Sequence, residues 1–337
     1  MKNIRVGIIG ATGYTALEVA RLLQGHENAS VVAATSRVHA GEALSTVHPS
    51  LSGRCDVMIE TFSAEQFAEQ CDIAMCCLPH GASAETVQQL VQHGVRVIDF
   101  SADFRLSDVD IYQHWYEVQH PWPERVGSTA YGMPEFFADE IRDADIVANP
   151  GCYPTSAILP LAPLLEAGLI GSDDIIIDSK SGVSGAGRSA KVATLYCETN
   201  EAISAYAVGC HRHQPEIDDI VQRVSGTSIQ CLFTPHLTPM DRGILSTIYV
   251  RPKSANVDEI MNCWQARFKD SAFIHPVHHL PSTKHVSGTN HVQMTARIAG
   301  SRAILVCAID NLAKGASGAA IQNMNVMFGL EQTTGLI

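Results

Sequence analysis

The stretch NPGCYPT, residues 149–155, sets Cys152 behind a Pro-Gly corner and ahead of a Pro-Thr pair. The apolar run DIVANP precedes it and the helical-looking PTSAILPLAPLLEAGLI follows, so the cysteine falls on a strand-to-helix corner. There the unpaired N–H groups and the partial positive end of the helix favour a thiolate over a thiol. Such a sulfur is a nucleophile, and a nucleophile needs a base. GCHRHQPEI, residues 209–217, offers two imidazoles, His211 and His213, flanking Arg212 and followed by Pro215–Glu216 as a helix start. The His-x-His pair has no Cys, Asp or Glu beside it at ligand spacing, so no metal site is expected. A third histidine group, HPVHHLPSTKH (275–285), reads as a loop.

Two glycine-rich loops supply a different chemistry. Gly7, Gly10 and Gly13 recur between the β-branched run Ile4–Ile9 and a helical pattern through Leu17, Ala20 and Leu23, with Gly25 as a stop. Bare backbone in such a turn lets a pyrophosphate sit on the N–H groups of a helix N-terminus. The next strand, ASVVAATSR, ends in Thr35, Ser36 and Arg37, where a fold preferring NAD carries an acid. A hydroxyl and a guanidinium suit a ribose 2′-phosphate, which predicts NADP(H). The second loop, DSKSGVSGAGRSAK (178–191), follows the strand DDIIIDS and leaves backbone bare at Gly182, Gly185 and Gly187. Arg105, in SADFRL beyond a strand end, and Arg188, closing the second glycine loop, are the candidates for holding substrate anions.

These residues need a scaffold, and 337 residues suit two domains. In the first half, strands at DIAMCCLP (72–79), VRVIDFS (95–101) and ADIVANP (144–150) alternate with helices, one over Ala82–Gln92. That alternation predicts a Rossmann-type, doubly wound parallel sheet, an α/β fold. Cys76 and Cys77 fall inside a strand and read as core. Pro160 and Pro163 leave open whether the helix after Cys152 bends or splits. The apolar runs GILSTIYVRP and RAILVCAID suit a subunit interface.

A net charge of −12 argues against nucleic-acid binding. No apolar run reaches a membrane span, and the N-terminus lacks the zones of a signal peptide. Ten scattered cysteines without framework spacing read as reduced thiols of a cytoplasmic protein.

Seven motifs run in order through the chain: GATGYT, SADFR, YGMPE, NPGCYPT, SGVSGAGR, HRHQPEI and NLAKGASGAAIQNMN. Together they resemble the N-acetyl-gamma-glutamyl-phosphate reductase family, within the semialdehyde dehydrogenases. The resemblance implies that Cys152 is the catalytic cysteine. It makes His213 the acid/base, with His211 as rival, and Glu216 the group that orients the imidazole. It assigns Gly10, Ala11, Thr12, Gly13, Tyr14 and Thr15, with Ser36 and Arg37, to NADP(H). Ser184, Gly185, Gly187 and Asn311 become contacts on the nicotinamide side. The implied architecture is a nucleotide domain over 1–148, joined by a returning C-terminal helix in 311–337. An α+β domain over 149–310 then resembles the catalytic domain of semialdehyde and glyceraldehyde-phosphate dehydrogenases and serves subunit contacts. The implied substrate is a small acyl phosphate, and the implied assembly a homodimer or homotetramer. An aspartate-semialdehyde dehydrogenase and a lysine-pathway acyl-phosphate reductase are the alternatives, against which HRHQPE and SADFR favour the glutamyl enzyme.

Overall fold

The computed structural model describes residues 3–254 and 256–337. Met1 and Lys2, at the head of the expected nucleotide domain, and Ala255, in the expected second domain, lie outside the described residues. The chain divides into two compact units, Met1–Pro150 with Ala316–Ile337, and Gly151–Gly315.

The first unit is built on strands β1 (Ile4–Ile9), β2 (Ala29–Thr35), β3 (Ile59–Glu60), β4 (Ile73–Cys76), β5 (Arg96–Asp99), β6 (Ala130–Tyr131) and β7 (Ile146–Ala148). They form one sheet in the order β3-β2-β1-β4-β5-β7-β6, parallel at every pairing. Its helices are α1 (Tyr14–Leu23), α2 (Leu44–Val47), α3 (Ala64–Gln70), α4 (Ala84–Gln92), α5 (Val109–Tyr116) and α6 (Pro134–Asp143). Val6, Ile8, Met75, Val97 and Ile98 are all fully buried. The central strands are therefore covered on both faces, which is why they read as continuous apolar runs rather than alternating ones.

The second unit opens with α7 (Cys152–Glu166). It continues through β8 (Ile176–Gly182), α8 (Tyr196–Thr199), β9 (Ser204–Ala205), α9 (Gln214–Ser225), β10 (Leu232–Thr238) and β11 (Ile244–Val250). It closes with α10 (Val257–Arg267), β12 (Ile274–Pro276), α11 (Thr283–Val286), β13 (Val292–Ala299) and β14 (Arg302–Ile309). The strands make a mixed sheet, β12-β13-β14-β11-β8-β10-β9. One face packs on α7 and α10. There Ser246 of β11 links Ser156 of α7 (2.6 Å) to Ser179 of β8 (2.7 Å), so hydroxyls buried at the contact satisfy one another.

Two sequence expectations are settled by this unit. The helix after Cys152 neither ends nor divides at its prolines. Every residue from Tyr153 to Leu165 is buried, and Trp264 of α10 donates its indole N–H to the Pro160 carbonyl at 3.0 Å. Packing on all sides outweighs the backbone bonds that two interior prolines remove. The histidine group at 275–285, expected as a loop, instead contributes β12 and α11. Ile274 is buried and its strand pairs in parallel with β13, a pattern the flanking prolines conceal. A last helix, α12 (Gly318–Met327), packs on α6 and α1 of the first unit, where Asn323 donates to Gly132 O at 2.9 Å.

Candidate active site

Cys152 is the first residue of α7, with Gly151 at the N-cap and no side chain capping the helix. The first-turn N–H groups have no carbonyl one turn back to bond, and the field of the helix end favours negative charge on a sulfur placed there. Cys152 is half-buried, whereas Cys55, Cys71, Cys76, Cys231 and Cys307 are buried. Burial pushes the Cys71 thiol up to about 12, and that of Cys77 likewise. Those thiols are inert packing residues.

α9 packs against α7 and carries the expected partners to the corner. Glu216 in its first turn is buried, and its Oε1 accepts the Gly151 N–H at 2.8 Å. The carboxylate assigned by resemblance to an imidazole thus also grips the backbone immediately before Cys152. His213 is the N-cap of α9, and its ring lies 5.8 Å from that of Tyr153, centre to centre. His211 sits among the rings of Tyr153 (5.6 Å), Tyr206 (5.5 Å), Phe233 (5.3 Å) and His213 (4.8 Å). Its Nδ1 accepts the His213 backbone N–H at 3.1 Å. Burial first, and the neighbouring Arg212 charge second, lower its pKa to about 4. His211 is therefore a neutral ring with its proton on Nε2.

Sequence reasoning missed two phenols. Tyr206 Oη donates to Tyr153 Oη at 3.0 Å, and Tyr153 Oη donates to the His236 carbonyl at 3.3 Å. Burial pushes Tyr206 up to about 12, and the charge of Cys152 adds to it; Tyr153 is raised further, by burial and by Tyr206. Both phenols stay protonated donors beside the sulfur. Their signal was adjacency alone, one beside Cys152 and the other just ahead of the histidine pair.

The second glycine loop is stapled in place. Ser184 Oγ donates to Asp241 O (2.6 Å) and accepts from Asn311 Nδ2 (3.0 Å), while Asn311 Oδ1 accepts the Gly243 N–H (2.7 Å). Ser184 and Asn311, expected on the nicotinamide side, thus also brace the loop. What the loop leaves open is the exposed backbone of Gly185 and Gly187. Arg188, one of the two expected anion holders, is exposed on the same loop.

The nucleotide loop belongs to the first unit. Gly10 adopts φ +80°, and a Cβ there would stand 2.6 Å from Cys77 O, so only glycine fits. Gly10 and Ala11 donate their N–H groups to Thr35 O (3.1 and 3.0 Å), and His48 Nε2 bonds Ala11 O at 2.8 Å. The rest of the loop, Thr12 to Thr15, leads into α1, whose N-cap Gly13 carries no side-chain cap and whose first turn holds no acid. An uncapped, acid-free helix end fits the pyrophosphate of a dinucleotide. Ser36 Oγ accepts from the N–H of Val38 and His39 (3.3 and 3.4 Å), and Arg37 beside it is exposed, with no ion pair among the described residues. Arg105, the other expected anion holder, lies in this unit too. It is buried, and its Nη2 donates to Phe100 O at 2.7 Å. Among the described residues no group of three His, Cys, Asp or Glu could hold a metal ion.

A parallel sheet with a glycine loop at its first strand, and a corner cysteine heading a mixed-sheet unit, suit a nucleotide-dependent dehydrogenase that works through a thiol. The family profiles agree: the NAD binding domain of semialdehyde dehydrogenase matches residues 5–144, and its dimerisation domain matches 152–311. The chain belongs to the semialdehyde dehydrogenase family, and within it to the N-acetyl-gamma-glutamyl-phosphate reductases. The relative of that name from Rhodopirellula baltica is 66% identical over 341 residues, covering 99% of both chains. That from Citrifermentans bemidjiense is 48% identical over 339 residues, covering 99% of this chain and 98% of its own. Among solved structures, aspartate semialdehyde dehydrogenase II of Vibrio cholerae superposes with a TM-score of 0.74 at 19% identity, covering 98% of this chain and 99% of its own. The Candida albicans aspartate semialdehyde dehydrogenase with NADP gives 0.70 at 14% identity, covering 97% and 99%. At those identities the likeness is one of fold.

Proposed function

We propose that the chain reduces N-acetyl-gamma-glutamyl phosphate to N-acetyl-glutamate 5-semialdehyde with release of phosphate, using NADPH, a step of arginine biosynthesis. The observation that carries this reading is Cys152 at the uncapped head of α7, beside two protonated phenols and a histidine pair. The dinucleotide's place is the α1 loop, Gly10 to Thr15. Arg37 and Ser36, standing where an acid would select NAD, support the 2′-phosphate form.

The steps follow from the residues. His213 takes the thiol proton, and the Cys152 thiolate attacks the γ-carbonyl carbon of the acyl phosphate. The first-turn N–H groups of α7 face the developing oxyanion, a contribution of roughly 2.7–4 kcal/mol for one donor. The C–O bond to phosphate breaks, phosphate leaves with the bond pair, and a thioester remains on Cys152. Bound NADPH supplies the hydride that this thioester carbon accepts. The thiohemiacetal then loses the semialdehyde and restores the thiolate, with His213 managing the proton. Arg105 and Arg188 remain the candidates for the substrate's anionic ends.

All ten cysteines are outside any disulfide, which supports a reducing, cytoplasmic setting. Among the described residues no helix is long and apolar enough to cross a membrane. The aspartate-semialdehyde alternative is supported by fold alone.

Cys152→Ser is expected to abolish phosphate-dependent NADP reduction by N-acetyl-glutamate semialdehyde while NADP binding, read by fluorescence, persists. Near-normal turnover in that variant would end the reading.

A further inference from the structure

We propose that the Asp310–Arg242 ion pair is a positioning device for the nucleophile, acting on Cys152 through the bare backbone of Gly315. The inference rests on Cys152 being the nucleophile.

Asp310 follows β14 and is fully buried. Its carboxylate receives the Arg242 guanidinium, Nε at 2.9 Å from Oδ2 and Nη2 at 3.1 Å from Oδ1. It also accepts the N–H groups of Gly288 (2.6 Å), Leu312 (2.8 Å) and Ala313 (3.0 Å). Its backbone carbonyl accepts the Gly315 N–H at 2.9 Å. One buried residue therefore fixes how the chain enters the π-helical turn Ala313–Ser317, which contains Gly315. The guanidinium meets both carboxylate oxygens, one through a hydrogen bond from Nη2 and the other through the close approach of Nε, a contact that a single ammonium does not reproduce.

That turn has its consequence at the corner. A Cβ built on Gly315 would stand 2.9 Å from Cys152 Cβ, 3.3 Å from Cys152 Cα and 3.2 Å from Asp310 O. The backbone of Gly315 is not left-handed, so the demand for glycine there is one of space. Gly315 is a wall laid against the first two carbons of the nucleophile. It sets where the corner sits and how Sγ can turn among its staggered positions. Arg242 brings a second loop into register, because it lies between β10 and β11 with Asp241, whose carbonyl accepts from Ser184 Oγ and Ser184 N. The same hairpin thus braces the glycine loop and, through Asp310, the cysteine.

The test uses the full-length enzyme with Gly315→Ala, Arg242→Gln and Arg242→Lys. Three quantities are read: kcat and KM for NADP and for the semialdehyde; the rate of Cys152 carbamidomethylation by iodoacetamide across pH, followed by peptide mass spectrometry; and the melting temperature. Gly315→Ala is expected to keep KM for NADP while kcat falls roughly 100-fold, the loss that a misplacement of about 1 Å brings. Its Cys152 alkylation profile should shift against pH. Arg242→Gln should move kcat and the alkylation profile the same way, and Arg242→Lys should recover part of both. The proposal is overturned if folded Gly315→Ala turns over and alkylates like the wild type. It is overturned equally if Arg242→Gln loses activity only through a raised KM or a lowered melting temperature, with the alkylation profile unmoved. Should Gly315→Ala not fold, the Gln and Lys pair at 242 decides alone. If wild-type Cys152 alkylates no faster than the exposed Cys197, the nucleophile reading fails instead and takes this one with it.

Discussion

Two histidines separated by one arginine stand in different surroundings. His211 is enclosed by aromatic rings and held neutral, its pKa lowered to about 4 by burial. A ring that stays neutral to that point is a poor acceptor for a thiol proton. His213 heads α9 and is the ring we propose as the acid/base. His213→Asn is accordingly expected to lower kcat by roughly 100-fold, the scale of general acid–base catalysis, and to remove the histidine-dependent limb of its pH profile. His211→Asn should keep that limb. The linkage sign gives His211 its own signature. A folded pKa below the unfolded value means the native state binds fewer protons, so stability is lost as pH falls from about 6.5 to about 4. His211→Asn should flatten the melting temperature across that window, and an unchanged slope would remove the cage argument. In the sequence the pair was legible as chemistry but not as a division of labour. Of the rings that decide it, Tyr206 lies just ahead of the pair, but Tyr153 and Phe233 come from other parts of the chain.

At the scale of elements, the corner at Cys152 is held from several sides by short polar ties. Glu216 of α9 grips the residue before Cys152, and the same N-terminal stretch of the helix carries a second tie. Asp218, one residue beyond Ile217, accepts the Cys231 N–H at 2.9 Å, fastening α9 to the start of β10. Burial raises Asp218 to about 6, and the bonds from Cys231 offset only part of it. A carboxyl raised on folding binds more protons in the native state, so its contribution to stability falls as pH rises from about 3.8 to about 6. Asp218→Asn keeps an acceptor for the amide and cannot ionise. Relative to the wild type it should therefore gain on the order of 1–3 kcal/mol between pH 4 and pH 7. Denaturant melts at both pH values measure this, and parallel curves for the two proteins would contradict it. Periodicity and glycine punctuation made β1, α1 and the corner at Cys152 readable in advance. The continuity of α7 through Pro160 and Pro163 was not, because it depends on burial against α10 and β11, which no local pattern states.

On the scale of the whole molecule, the sheet of the second unit raises the question of assembly. Its inner face is closed by α7 and α10, while Ile176, Tyr249, Ile304 and Val306 stand half-buried on the outer face and Leu232 is 55% exposed. Those positions alternate with fully buried ones along each strand, so the apolar side chains lie on one surface, in the strands at the middle of the sheet. An apolar surface of this kind calls for a partner. The same residues lie within the span that matches the dimerisation domain of the family. A second copy laid face to face supplies cover with the same chemistry, as two-fold symmetry requires. The expected state is therefore a homodimer or homotetramer, with the motif-bearing unit of each subunit at the contact. Tyr249→Asp with Val306→Asp puts charge into the centre of the surface, and by light scattering it should shift the protein to a single chain. Because Asp310 directly follows β14, opening that contact should also loosen the brace behind Cys152 and lower kcat with the mass. A wild type that already scatters as a monomer at micromolar concentration, or a double variant that keeps its mass, would overturn this reading of the sheet.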